Sequence, residues 1–200
     1  MNTQKIILEF LSVIDSIYGV YLDGILGFKL LIEYITKMQK KSIELIGSEA
    51  TTKKLDEAEF MYGMGSPPQH KIPNDRGVLH MTTQGELKER NKENGINFKV
   101  IGNLSVVLLY QYWEDKYREA IATSINLKKS ELMSPIFGEL RQIRNAILHN
   151  NGIATTKVEK KVQIVKFKQG EEIYLARENL HEIINAIKDY LKSLESQIEL

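Results

Sequence analysis

Apolar positions in residues 3–46 recur at three- and four-residue steps: Ile7, Leu11, Ile14, Tyr18, Tyr21, Leu22, Ile25 and Phe28. That spacing follows the turn of an α-helix and predicts one here. Gly19, Gly24 and Gly27 fall inside it and predict close packing or a break into two helices. Gly47 predicts its end. Residues 63–77, GMGSPPQHKIPNDRG, predict a loop, because adjacent prolines, a third proline and three glycines cannot continue a helix. A short polar helix is predicted over 85–93, with a turn at Asn94-Gly95.

The second half carries a stronger pattern. Val106, Tyr110, Trp113, Tyr117 and Ala120 form a heptad-like stripe that predicts a helix over 103–123. A further helix is predicted over 131–150, with Ser130 as its cap and Pro135 early in it. The stretch 157–175, KVEKKVQIVKFKQGEEIYL, is rich in Val, Ile, Phe and Tyr around a Gln-Gly turn and reads as a strand pair. Residues 177–198 predict a last amphipathic helix on Leu180, Ile183, Ile184, Ile187, Tyr190, Leu191 and Leu194. The sum is a mostly α fold: a bundle of four to five main helices with a small β-hairpin near the C-terminus. One domain is expected over 1–200, with a loop-rich insertion at 63–100 and a motif-bearing core at 101–198.

Composition narrows the chemistry. Hydrophobic residues make up 42% and charged residues 26% of the 200, enough for a globular core. A net charge of +1 gives no global basic signal, so nucleic-acid binding would need a local patch. Cysteine is absent, which excludes disulfides, thiolate catalysis and Cys-based zinc sites, and suits a reducing cytoplasm. Glu9, Asp15, Asp23 and Glu33 interrupt the apolar N-terminus, so neither a signal peptide nor a membrane span is expected.

The candidate chemistry sits in RQIRNAILHNNG, residues 141–152. At about 100° per residue, Ile136, Leu140, Ile143 and Ile147 share the core side of a helix. Asn145 and His149 lie on roughly the opposite side, with Arg141 beside them. Arg144 lies on the flank, where its long side chain can swing toward that pair. Phe137, Arg144 and Leu148 make another stripe, and a helix with two apolar stripes wants two partners, the second being another helix or a second subunit. A structural reading also exists, since a histidine near a helix C-terminus complements the helix dipole.

Arg144-Asn145-Ala146-Ile147-Leu148-His149 resembles the R-N-x-x-x-H form of the Rx4–6H motif of the HEPN superfamily. The motif lies late in a helix, followed by a turn and a last helix, as it does in that family. The upstream segment YQYWEDKYREAIA (110–122) resembles the HEPN helix that packs beside the motif helix, with Glu114 and Arg118 as its acidic-x3-basic element. The resemblance covers about residues 100–198 and leaves the first hundred without a motif.

The resemblance implies a helical bundle that homodimerises, bringing two motifs into one cleft. It also implies a metal-independent endoribonuclease of a toxin or phage-defence type, cytoplasmic, with RNA as substrate and an antitoxin or regulatory protein as a further partner. The residue types suit this. His149 can move protons near neutral pH, Arg144 can grip a phosphate, and Asn145 can orient either. No cofactor and no metal are expected. Glu114, Asp115, Arg118 and Arg141 are secondary candidates; for Glu114 and Arg118 an ordinary surface pair is an equal alternative, and for Arg141 a solvated helix face. Lys157, Lys160, Lys161, Lys166 and Lys168 could track an RNA backbone, or simply guard an edge strand. His70 and His80, in the loop region, lack metal-ligand spacing, and His181 is expected to be structural. The second functional reading is a catalytically inactive HEPN-like module that binds RNA, a nucleotide or a protein.

Overall fold

The computed structural model describes residues 2–63 and 78–198. The fold is mostly helical, with one two-stranded antiparallel sheet among the described residues. The chain divides into two compact units, one comprising Met1–Gly24 and Lys99–Leu200, the other Ile25–Phe98.

The helix α1 runs from Thr3 to Ile46 and stops before Gly47, as its apolar period predicts. It does not break at its internal glycines. A Cβ at Gly19 or Gly27 would meet nothing within 4 Å, so close packing is not their role.

In the first unit, α4 (Ile96–Tyr112) enters a π-helical turn, Trp113–Tyr117, and continues as α5 (Arg118–Ser124). Helix α6 spans Pro135–His149, α7 spans Thr156–Lys161 and α8 spans Arg177–Ile198. The core is built where their apolar stripes meet: Phe10 and Ile14 of α1, Leu109 and Trp113, Leu140 and Ile143, and Ile183 and Ile187 are all buried. Its centre is aromatic. Trp113 and Phe137 stack at 4.2 Å with their planes 3° apart, and Phe10 stacks on Tyr117 at 4.4 Å.

Two predicted boundaries shift for clear reasons. Helix α6 begins at Pro135 with Ser134, not Ser130, at its cap position. Proline tolerates the first helical position because the N–H it lacks would be unpaired there anyway. Its ring also pushes the preceding residue out of helical space, and Ser134 is extended at φ −138°, ψ 113°. The helix predicted from 103 starts at Ile96, directly after the Asn94-Gly95 turn.

The predicted hairpin at 157–175 is not formed. Residues 156–161 are helix α7, capped by Thr155 through its side chain on the Val158 N–H. Val158, Val162 and Val165 then fall at three- and four-residue steps and are buried. The Gln169-Gly170 turn is present, with Gly170 at φ 89°. The extended run after it pairs with residues 152–154 instead: the Ala154 N–H donates to Glu171 O at 2.8 Å and the Ile173 N–H to Gly152 O at 2.7 Å. Ile173 and Leu175 are fully buried against α4. A Cβ at Gly102 would come within 2.7 Å of Leu175 O, so a glycine there lets the run lie directly on the helix. β-propensity was thus spent on one strand-like run lying on a helix, not on a hairpin.

In the second unit the strands are β1 (Glu59–Gly63) and β2 (Val78–Thr83), paired antiparallel with Met61 opposite Met81. Short helices α2 (Thr52–Asp56) and α3 (Gln84–Asn91) flank them, α3 opening with a Thr83/Glu86 capping box. The buried Gln39 links these parts. It donates to Asp56 Oδ1 at 2.8 Å and Gln84 Oε1 at 3.0 Å, and accepts from Lys88 at 3.0 Å. Apart from Gly63, the loop predicted at 63–77 lies outside the described residues, and so does His70.

Candidate functional site

Local helix geometry gathers the motif. Arg144 Nη1 donates to Asn145 Oδ1 at 3.1 Å and lies 3.3 Å from His149 Nε2. Arginine has no acceptor, so in a hydrogen bond between the two the guanidinium is the donor. Arg144 is half-buried, and its Nε–H finds no acceptor among the described residues. His149 itself is exposed, on the last residue of α6. Helix termination places it there: Asn151 and Gly152 adopt positive φ (52° and 74°), and the Gly152 N–H folds back to Ala146 O at 3.1 Å.

The rest of α6 departs from the predicted two-stripe pattern. Phe137 belongs to the aromatic core, not to a second contact stripe, and Ala146 is buried while Ile147 is only half-buried. Leu148 remains exposed. Only Leu148 is left to continue an apolar contact next to the motif.

Glu114 and Arg118 come together, Arg118 Nη1 to Glu114 Oε2 at 3.1 Å. The pair is more than a lone surface bridge. Lys129 reaches Glu114 Oε1 at 3.1 Å and its carbonyl at 2.6 Å, and Arg118 Nε donates to Leu132 O at 3.1 Å. Together they tie the 127–133 connection to the π turn. Such turns occur often at functional sites. Asp115 is exposed and hydrogen-bonds Gln111, away from that network. Arg141 is exposed and has no ion-pair partner among the described residues.

Tyr110, whose spacing predicts a core stripe, also enters the site. It lines a cleft with Trp113, Glu114, Arg118, Met133, Phe137 and Arg141. Burial pushes its hydroxyl above the usual phenol range; Glu114 adds to this, and Arg141, Arg144 and Arg118 oppose it. Tyr110 therefore lies within electrostatic reach of the cleft and of the motif arginine. Its period-seven spacing from Tyr117 hid this, because half-burial looks like core in a sequence.

The five lysines are all exposed. Lys157, Lys160 and Lys161 sit on α7, and Lys166 and Lys168 on the run that follows, so none of them guards an edge strand. Glu139 of α6 fixes that run, accepting the Gln163 and Ile164 N–H groups at 2.5 and 2.9 Å. His80 stands on β2, not in a loop, with Nε2 2.7 Å from Arg90 Nη1. His181 bonds Tyr18 and Asn185 at 3.2 and 3.0 Å. Among the described residues no group of three His, Cys, Asp or Glu could hold a metal ion, and no helix is long and apolar enough to cross a membrane. No protein-family model matches this chain, and no curated protein or solved structure matches it.

Proposed function

We propose that this chain is a metal-independent endoribonuclease of the HEPN type, acting in the cytoplasm in phage defence or a toxin–antitoxin system. The observation that carries the reading is the Arg144–Asn145–His149 cluster, with Nη1 of the arginine 3.1 Å from the amide oxygen and 3.3 Å from the imidazole. The RNA 2′-oxygen attacks the neighbouring phosphorus, the bond from phosphorus to the 5′-oxygen breaks, and a 2′,3′-cyclic phosphate and a 5′-hydroxyl result. His149 takes the 2′-hydroxyl proton when its ring is neutral and its Nε2 is released from Arg144, or, when charged, gives a proton to the leaving oxygen. Arg144 holds the phosphate and offsets charge developing on its oxygens. Asn145 orients the guanidinium.

A second copy of the chain would cover an apolar row on the face of α4 away from Tyr110 and the cleft. On α4, Val100, Leu104, Leu108 and Tyr112 form an exposed apolar row at four-residue steps, and Leu148 is exposed beside His149. A row of that kind on one helix favours a partner. The test is cleavage of single-stranded RNA in a metal chelator. The wild-type chain should release cyclic-phosphate ends, and the His149→Ala chain should not. Undiminished cleavage by a folded His149→Ala chain would overturn the proposal. RNA binding without any cleavage would favour the inactive binding module.

A further inference from the structure

The cleft on the N-terminal side of the motif has no assigned role. Its volume is about 140 Å³, below the roughly 300–1,000 Å³ of pockets that swallow a whole small ligand. That size fits one ring or one phosphate of a longer chain. Its rim is part apolar, from the half-buried Tyr110 and the exposed Met133, and part cationic, from Arg118 and Arg141. Among the described residues Glu114 is the only carboxylate lining it, and it is already held by Arg118 and Lys129. Arg141 is therefore the uncommitted charge. It precedes Arg144 by three residues on α6, a rise of about 4.5 Å, so the two guanidinium groups stand in sequence along one helix.

We infer that this cleft is a nucleotide subsite, in which Arg141 takes the phosphate next to the one at Arg144 and the Tyr110 ring takes the adjoining base of a single RNA strand. The inference rests on the ribonuclease reading for the identity of the strand. Stacking on an aromatic ring is tolerant of base identity, and an exposed arginine reads phosphate, so the subsite sets register and affinity rather than a base sequence. Arg141 and Tyr110 are positioning residues; the proton-transfer group remains His149.

The test uses the full chain carrying His149→Ala, so that RNA stays intact, and a fluorescent single-stranded RNA oligonucleotide read by anisotropy over a range of salt. Adding Arg141→Gln should weaken binding about 5- to 10-fold and flatten the dependence of log affinity on log salt by about 0.7, the share of one phosphate contact on a single strand. Adding Tyr110→Leu, which keeps apolar volume but removes the flat ring, should weaken binding about 5- to 50-fold with the salt slope unchanged. Thermal melting checks that both variants stay folded, and Tyr110→Phe, which keeps the ring, should bind like the parent. If both variants bind RNA as the parent does, or if the parent binds none, the subsite is overturned. Cleavage by the chain with His149 intact is scored separately. If binding depends on Arg141 and Tyr110 but no RNA is cut, the subsite stands and the ribonuclease reading falls.

Discussion

Arg144 and His149 meet across one turn of α6, with Nη1 and Nε2 3.3 Å apart. The contact is made by two residues that have different exposure. The arginine is half-buried and fixed by Asn145, while the histidine stands at an open helix end. A held cation thus lies beside an exposed imidazole.

The two residues should therefore separate in stability and agree in activity. His149→Ala removes an exposed side chain, so melting should shift by no more than about 0.5 kcal/mol. On the proposed ribonuclease reading, its RNA cleavage should fall about 100- to 10,000-fold. Arg144→Lys keeps the charge but loses the planar fork, and should also lose most activity. Cleavage rates and melting curves on the same preparations check this; an active Arg144→Lys chain would show that the fork is unimportant.

Phe137 is the aromatic wedge between α6 and the π turn, stacked on Trp113 and buried. Phe137→Ala should cost about 3–5 kcal/mol, because it removes the transfer energy and leaves a cavity among rigid rings. Denaturant unfolding measures it. A loss under 1 kcal/mol would mean that the stack does not organise this core.

Gly102 lets the 171–175 run lie on α4. In Gly102→Ala the added methyl would sit 2.7 Å from Leu175 O, a backbone atom that cannot turn aside. The helix gains propensity worth up to about 1 kcal/mol, yet the clash should win and destabilise by about 1–3 kcal/mol. Increased hydrogen exchange at the Ile173 N–H, bonded to Gly152 O, would localise the damage. A more stable Gly102→Ala chain would contradict it.

Acid should loosen the Ile25–Phe98 unit. Lys88, then Gln39, hold the Asp56 carboxyl below its ordinary range by hydrogen bonds. A carboxyl lowered on folding contributes stability that is complete above its unfolded value, about 3.9. That stability is lost as pH falls through the lower folded value. Asp56 is partly exposed, so screening holds the effect to about 1 kcal/mol or less. Melting from pH 6 down to pH 3 should show a smaller acid-induced drop in Asp56→Asn than in the parent. Equal drops in both chains would assign the acid sensitivity elsewhere, with Glu86, also lowered through its Thr83 cap, as the next carboxyl to replace.

Helices were legible in the sequence because each hydrogen bond closes four residues away, so a three- and four-residue apolar period reports the element directly. That is why α1 and α8 appear where Ile14, Ile183 and Ile187 predict them. The meeting of Arg144, Asn145 and His149 is local in the same sense, since six consecutive helical residues bring it about. Tertiary structure alone decided what depends on distant partners. Ile173 and Leu175 have the alternation of a strand, but residues 152–154 and the bare surface at Gly102 chose their neighbours. Phe137 looked like an outer stripe until Trp113 stacked on it. Tyr110 became part of a cleft only when the connection carrying Met133 was tied down by Arg118 and Lys129. Periodicity states which face of an element is apolar; what covers that face is settled by packing among residues far apart in the chain.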